Sequence, residues 1–318
     1  MKLPPLKIGD LVANIPIIQG GMAVRISTGS LAGAIAAEGG IGVIGASGMT
    51  FDELAQEIRI AKEKAMGGIV GINVMFAARE FLGIVQTAIS EKISLIITGA
   101  GFSRDIFKIG KDSNVPIVSI VSSARLAKTA EISGASAIVV EGKEAGGHLG
   151  TDRPIREIFP EIRKVVKIPA IAAGGLTTGK EIREMLNMGA DGVQIATRFV
   201  LSNECNAGAE YKHRYQTAKK EDVVVFQSPV GFPGRALRTA FVDKVLDGTA
   251  PRPVGCDFCL KKCLLSFCIV QALIRSQKGD IENGVVFSGE NVWKIKDRSI
   301  RPAKDILHEL VKEAEEAC

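Results

Sequence analysis

The run Ala137-Ile-Val-Val-Glu141, continued by Gly-Lys-Glu-Ala-Gly146-Gly147-His148-Leu-Gly150, decides the fold. Its first part is continuously apolar and β-branched, which suits a strand buried on both faces of a parallel sheet better than the alternating pattern of a half-exposed strand. The strand ends in a carboxylate, and a glycine-rich turn with one of the chain's three histidines follows. Similar runs recur at 15–19, 42–45, 69–74, 94–98, 116–121, 169–173 and 192–197. Segments of helical periodicity lie between them, among them 50–64, 79–91, 123–133, 155–166 and 179–188. Eight strands alternating with helices predict an α/β fold, a closed (β/α)8 TIM barrel, with a doubly wound open sheet as the competing arrangement.

The pattern stops after Arg198. Residues 202–220 read as helix, 221–230 as irregular or strand-like, and 231–248 as a turn and a helix. A cysteine-rich stretch and a helix through 271–278 follow, and an amphipathic helix over 303–317 is placed to complete the barrel. The expected organisation is a barrel from 1–200 and 276–318, with a smaller helical lid inserted at 201–275. Such an insertion emerges at the C-terminal ends of the strands, where barrels of this kind build their sites. The composition, 46% hydrophobic and 24% charged with a net charge of +5, is that of an ordinary globular protein. Basic and acidic residues alternate instead of forming blocks, so no nucleic-acid partner is expected. No apolar run approaches bilayer length and the N-terminus lacks a signal-peptide pattern, so a cytoplasmic protein without a membrane partner is expected.

Reading the ends of the predicted strands gives one rim of candidate residues: Gly20, Gly21 and Met22; Asn73; Glu141, Gly146, Gly147 and His148; Gly174 and Gly175; Gln194, Ala196 and Thr197. Paired glycines after the seventh strand and small or hydroxyl residues after the eighth suit a phosphate. With amide side chains from Asn73 and Gln194 further in, flavin mononucleotide (FMN) fits better than a dinucleotide. The turn Gly40-Ile-Gly42 lacks the remainder of a dinucleotide fingerprint. His148 is the expected acid–base residue, because imidazole transfers protons near neutral pH; a turn histidine held by backbone carbonyls is the structural alternative. His213 and His308 sit among charged helical residues and read as surface positions, as do Lys143 and Glu144; Arg235 and Arg238 read as surface arginines, with contact to an anionic carrier or a phosphate as the alternative. Gly231-Phe-Pro-Gly-Arg235 reads as a lid hinge, a substrate contact or an ordinary turn.

Gln19-Gly-Gly-Met22, Gly71-Ile-Asn73-Val, Glu144-Ala-Gly-Gly-His148-x-Gly150, Ile171-Ala-Ala-Gly-Gly175 and Gln194-x-Ala-Thr-Arg198 together resemble the nitronate monooxygenase (2-nitropropane dioxygenase) family, to which the flavin-dependent enoyl-acyl-carrier-protein reductases are related. The resemblance spans most of 1–200. It implies a TIM barrel with bound FMN, flavin contacts at Gly21, Met22, Asn73, Glu141, Gly147, Gly174, Gly175, Gln194 and Thr197, and His148 beside flavin and substrate. The implied activity is oxidation of alkyl nitronates with oxygen. NAD(P)H-dependent enoyl reduction is the alternative on the same barrel, and a non-catalytic flavin and iron–sulfur electron-transfer subunit is a third reading. A small-molecule substrate is expected, and a homodimer is an assembly to test.

Four of the six cysteines fall in Cys256-x2-Cys259-x3-Cys263-x4-Cys268, outside the resemblance. In a reducing compartment such spacing points to metal, a [4Fe–4S] cluster or zinc, before disulfides. Free thiols, or apolar fillers on a helix with Leu260, Leu264 and Phe267, are the alternatives.

Overall fold

The structure is a computed structural model and describes residues 1–318 other than Ala100, Phe102, Asp257 and Cys318. A hairpin opens the chain, β1 (Leu6–Ile8) and β2 (Leu11–Ala13). Eight parallel strands then close a barrel: β3 (Ile17–Gln19), β4 (Ile41–Gly45), β5 (Ile69–Met75), β6 (Leu95–Gly99), β7 (Ile117–Val121), β8 (Ala137–Glu141), β10 (Ala170–Ala173) and β11 (Gly192–Ile195). Each strand run read from the sequence is one of these.

The continuous apolar character of the runs has a direct cause. Ile18, Val43, Ile97, Val118, Val139 and Ile171 fill the interior, while their neighbours Ile17, Ile44, Ile96, Ile117, Ile138 and Ala172 pack outward against helices. Both faces are therefore dry. Leu6, Ile8 and Ala13 of the hairpin join the interior set, and Leu6 reaches Gly192 at the start of β11. The N-terminal end of the barrel is thus plugged, and the C-terminal end is left for a ligand.

Helices α1 (Gly29–Ala37), α2 (Phe51–Lys64), α3 (Phe81–Ser90), α4 (Arg104–Asp112), α5 (Ala124–Ser133), α6 (Ile155–Arg163) and α7 (Gly179–Asn187) follow the strands in turn. The last outer helix comes from the C-terminal part of the chain: α11 (Ala303–Glu316) docks on α7, where the Glu313 carboxylate accepts from the Gly179 N–H at 2.7 Å and Arg183 donates to the Ala314 carbonyl at 2.9 Å. Between β11 and α11 come α8 (Ala209–Thr217), β12 (Val223–Gln227), β13 (Pro233–Leu237), α9 (Ala240–Leu246), α10 (Ile269–Gln277) and β14 (Val286–Phe287). The segment is therefore not wholly helical. Strand β13 pairs antiparallel with β12, with β14 and with β9 (Gly147–His148), a two-residue strand in the loop after β8. Phe226, Phe241, Phe267, Ile269 and Leu273 give this part its own apolar cluster, which also takes in Val24 from the loop after β3.

Candidate active site

Strand parity positions the inner polar residues. Asn73 lies between the outward-packed Ile72 and Val74, Gln194 lies between the outward-packed Val193 and Ile195, and Glu141 follows the outward-packed Val140. All three therefore share the inward alternation of the barrel. Ala173 pairs with Glu141 on one side and Gln194 on the other, so β8, β10 and β11 end in one layer.

Above that layer is a cavity of about 460 Å³, within the range of small-molecule and cofactor sites. Gly21, Met22, Asn73, Glu141, Gly146, Gly147, His148, Gly174, Gly175, Gln194, Ala196 and Thr197 all line it, so every rim residue singled out in the sequence comes to one place. The glycines are constrained by their surroundings. Gly175 has φ +72°, and a β-carbon there would sit 2.8 Å from the Glu144 β-carbon; one on Gly21 would sit 2.5 Å from that of Asn73. The Gln194 Oε1 is buried and has no hydrogen-bond partner among the described residues. An orphaned acceptor beside a glycine-lined cradle fits a planar ligand with N–H groups, such as the ring system of a flavin.

His148 enters the cavity wall on β9, held by pairing with Gly234 of β13 and by the Leu149 N–H donating to the Pro233 carbonyl at 2.8 Å. Its Nε2 lies 2.8 Å from the Ser228 hydroxyl, and Phe287 stands edge-on to the ring, centroids 5.2 Å apart. Burial pushes the His148 pKa down to about 4, so the imidazole is neutral at ordinary pH. Burial also pushes Glu141 up to about 7, and no hydrogen bond to its side chain is found among the described residues. The wall thus offers a neutral base and a carboxyl that titrates near neutrality.

Several readings of individual residues need correction. Glu144 is buried, not exposed, and its carboxylate caps α6 through the Ile155 N–H at 3.0 Å. Arg235 is likewise buried: it donates to the Lys143 carbonyl, and to the Ala145 carbonyl at 3.0 Å, with Glu290 3.4 Å away. It fastens the loop that carries His148. His213 and His308 are exposed as expected, His308 pairing with Glu38 at 2.9 Å. The sequence reading did not find Tyr211, Tyr215, Phe287, Ser288, Gly289 or Asn291, which also line the cavity, nor Ser228, which reaches it through His148. Both tyrosine hydroxyls donate to the Phe287 carbonyl, at 3.2 and 2.5 Å, and Asn291 donates to the Gly175 carbonyl at 2.8 Å. Only the Ser228-Pro and Ser288-Gly-Glu-Asn291 turn signals mark any of these in the sequence.

Of the four clustered cysteines, Cys259 lines the cavity. All four are free thiols on the loop between α9 and α10, although Cys268 also forms the N-cap of α10. Burial first, and then the neighbouring Cys268, Cys263 and Cys256 thiols, push Cys259 up. Among the described residues no three metal-binding side chains are already grouped as a site.

The sequence matches the nitronate monooxygenase family over residues 6–82 and 61–313. The chain belongs to the nitronate monooxygenase family. It is an FMN-dependent oxidoreductase of that family. Among curated relatives, it is 31% identical over 243 residues to (3aS,4S,5R,7aS)-5-hydroxy-7a-methyl-1-oxo-octahydro-1H-indene-4-carboxyl-CoA dehydrogenase of Mycobacterium tuberculosis, covering 74% of this chain and 67% of that one. The Rhodococcus jostii enzyme of the same name is 30% identical, and the match covers 64% of its length, so the chain spans about two thirds of these relatives. A probable nitronate monooxygenase of Staphylococcus saprophyticus is 24% identical, covering 97% of this chain and all of that one. Among solved structures, FabK from Thermotoga maritima superimposes with a TM-score of 0.83 at 30% identity, covering 95% of this chain and 93% of the other. A nitroalkane oxidase from Streptomyces ansochromogenes shares the fold, with a TM-score of 0.81 at 22% identity over 95% and 96% of the two chains.

Proposed function

We propose that this nitronate monooxygenase family member oxidises alkyl nitronates with oxygen at the barrel mouth, with His148 as its acid–base residue. The observation that carries the reading is the neutral, enclosed His148 on the same cavity wall as the inward layer of Asn73, Glu141 and Gln194. FMN, when bound, supplies the electron-accepting and oxygen-reactive chemistry. Gly21, Met22, Asn73, Glu141, Gly146, Gly147, Gly174, Gly175, Gln194, Ala196 and Thr197 are the residues assigned to hold it. Gln194 offers its unpaired carbonyl to a ring N–H, and the glycines admit close approach of the backbone. Neutral His148 takes the α-proton of a nitroalkane, or donates a hydrogen bond to a nitronate that arrives ionised. Residues 201–275 act as the lid over the barrel of 1–200 and 276–318. Cys256, Cys259, Cys263 and Cys268 are read as ligands to an iron–sulfur cluster or zinc, in a cytoplasmic protein whose thiols stay reduced.

A second reading has an observation behind it: the two relatives at 30–31% identity are named for action on a CoA thioester. On that reading NAD(P)H is the donor and an enoyl thioester is reduced. The anaerobic absorption spectrum of the purified protein, titrated with NADH, NADPH and an alkyl nitronate in separate runs, tests both. Bleaching of the flavin by nitronate and not by the nucleotides supports nitronate oxidation; the reverse result replaces it with the reductase.

A further inference from the structure

The described residues of 247–268, between α9 and α10, contain no helix or strand beyond one isolated bridge at Leu260, and Val254, Phe258, Leu264 and Leu265 of that stretch are exposed. Phe267 anchors the stretch in the lid cluster and Leu260 packs against that cluster, so the loop borrows the lid's core and has none of its own to define its exposed part. Backbone bonds nevertheless tie it to two sides of the cavity. Toward the barrel, Leu260 bridges Ala78, the Arg79 N–H donates to the Cys259 carbonyl at 2.9 Å, and the Lys261 N–H donates to the Ala77 carbonyl at 2.9 Å. Toward the lid, the Leu264 N–H donates to the Pro229 carbonyl at 2.9 Å. Pro229 adjoins Ser228, the partner of His148.

The cysteines stand at the joints of this strap. Cys259 lies on the barrel-side bridge, Cys263 next to the lid-side bond, Cys268 at the N-cap of α10, and Cys256 at the outer end. Around Cys256 the backbone already has a feature of thiolate–metal loops: the Phe258 N–H donates to the Cys256 sulfur at 3.4 Å, with Phe258 in the left-handed region at φ +50°. A side chain other than glycine held there costs energy. We infer that Cys256, Cys259, Cys263 and Cys268 close around one thiophilic centre, a zinc ion or a [4Fe–4S] cluster, and that this centre is a clamp holding the Ser228 turn against His148. The inference rests on the reading of these thiols as metal ligands and extends it from binding to the geometry of the site. The thiols need not be preassembled, because such loops acquire their final geometry as the metal binds.

The test uses the full-length protein purified without oxygen. Metal and acid-labile sulfide are measured, and His148 reactivity toward diethylpyrocarbonate is followed by mass spectrometry before and after metal removal, with exposed His213 and His308 as internal standards. The expected content is about one zinc, or about four irons with about four sulfides, per chain. The Cys263→Ser and Cys268→Ser variants should each lose most of it. Stripping the metal from the unmutated protein should raise His148 reactivity about tenfold relative to the standards. Zinc titration of stripped protein covers the case of variants that fail to fold. Absence of both metals, with no zinc uptake on titration, overturns the inference; bound metal whose removal leaves His148 reactivity unchanged overturns the clamp. FMN content and nitronate turnover are read separately, so failure of the nitronate reading leaves a distinct signature.

Discussion

The Nε2 of His148 lies 2.8 Å from the Oγ of Ser228, two residues 80 positions apart, one on the loop after β8 and the other in the turn between β12 and β13. His148, the proposed acid–base residue, is therefore oriented from outside the barrel. Either atom can be the donor, so Ser228 governs which tautomer the ring presents and must yield if substrate is to meet Nε2.

Ser228→Ala removes that partner and leaves the cavity glycines untouched. FMN should remain bound, while kcat falls roughly tenfold, the worth of one hydrogen bond of about 1.4 kcal/mol. Ser228→Thr, which keeps the hydroxyl, should restore most of it. Steady-state kinetics on the three proteins, with flavin content measured on each, checks this; equal kcat for alanine and serine would remove Ser228 from the site's function.

The pH dependence of stability in flavin-free protein should expose two opposing groups. His148, at about 4 instead of 6.5, stays unprotonated where the unfolded chain takes up a proton, so its contribution rises with pH from about 4 to 6.5. Glu141, at about 7 instead of 4.5, keeps a proton the unfolded chain has released, so its contribution falls as pH rises from 4.5 to 7. The two slopes oppose each other in the overlap. Glu141→Gln should therefore leave stability rising with pH there, by up to about 1.4 kcal/mol per pH unit. Urea titrations at successive pH values measure it, and curves parallel to those of the unmutated protein would contradict the assignment.

Gly175→Ala places a β-carbon against Glu144 and Asn291 at a positive φ. Roughly 1–3 kcal/mol of stability should be lost, together with FMN occupancy, because the loop must shift to relieve both strains. Thermal unfolding and flavin content report the two losses.

Arg235→Met should cost about 2–3 kcal/mol, since the Lys143 and Ala145 carbonyls lose a buried donor. Its signature is greater protease sensitivity in the 143–150 loop; an undisturbed loop would mean the arginine is not its fastener.

The barrel was legible because each strand buries both faces, which leaves unbroken apolar runs such as Ala137–Glu141. Helix α1 was not: Gly-Ser-Leu-Ala-Gly-Ala-Ile-Ala-Ala has no polar face to create a period, and it packs so closely that β-carbons on Gly29 and Gly33 would strike the backbone of α2. Strand β13 hid behind Pro233-Gly234, turn formers that here begin a strand, where the missing side chain of Gly234 lets Phe226 and Phe287 close in. Rim residues announced themselves by following strands. Ser228, Tyr211 and Asn291 reach the site through long-range packing, which leaves no local pattern.

The most direct test of the account is nitronate turnover in His148→Asn, monitored at the flavin absorption band. Bound FMN with kcat reduced about a hundredfold or more is the predicted result. Unchanged turnover in that variant, or a protein that stays colourless when supplied with FMN, would contradict it.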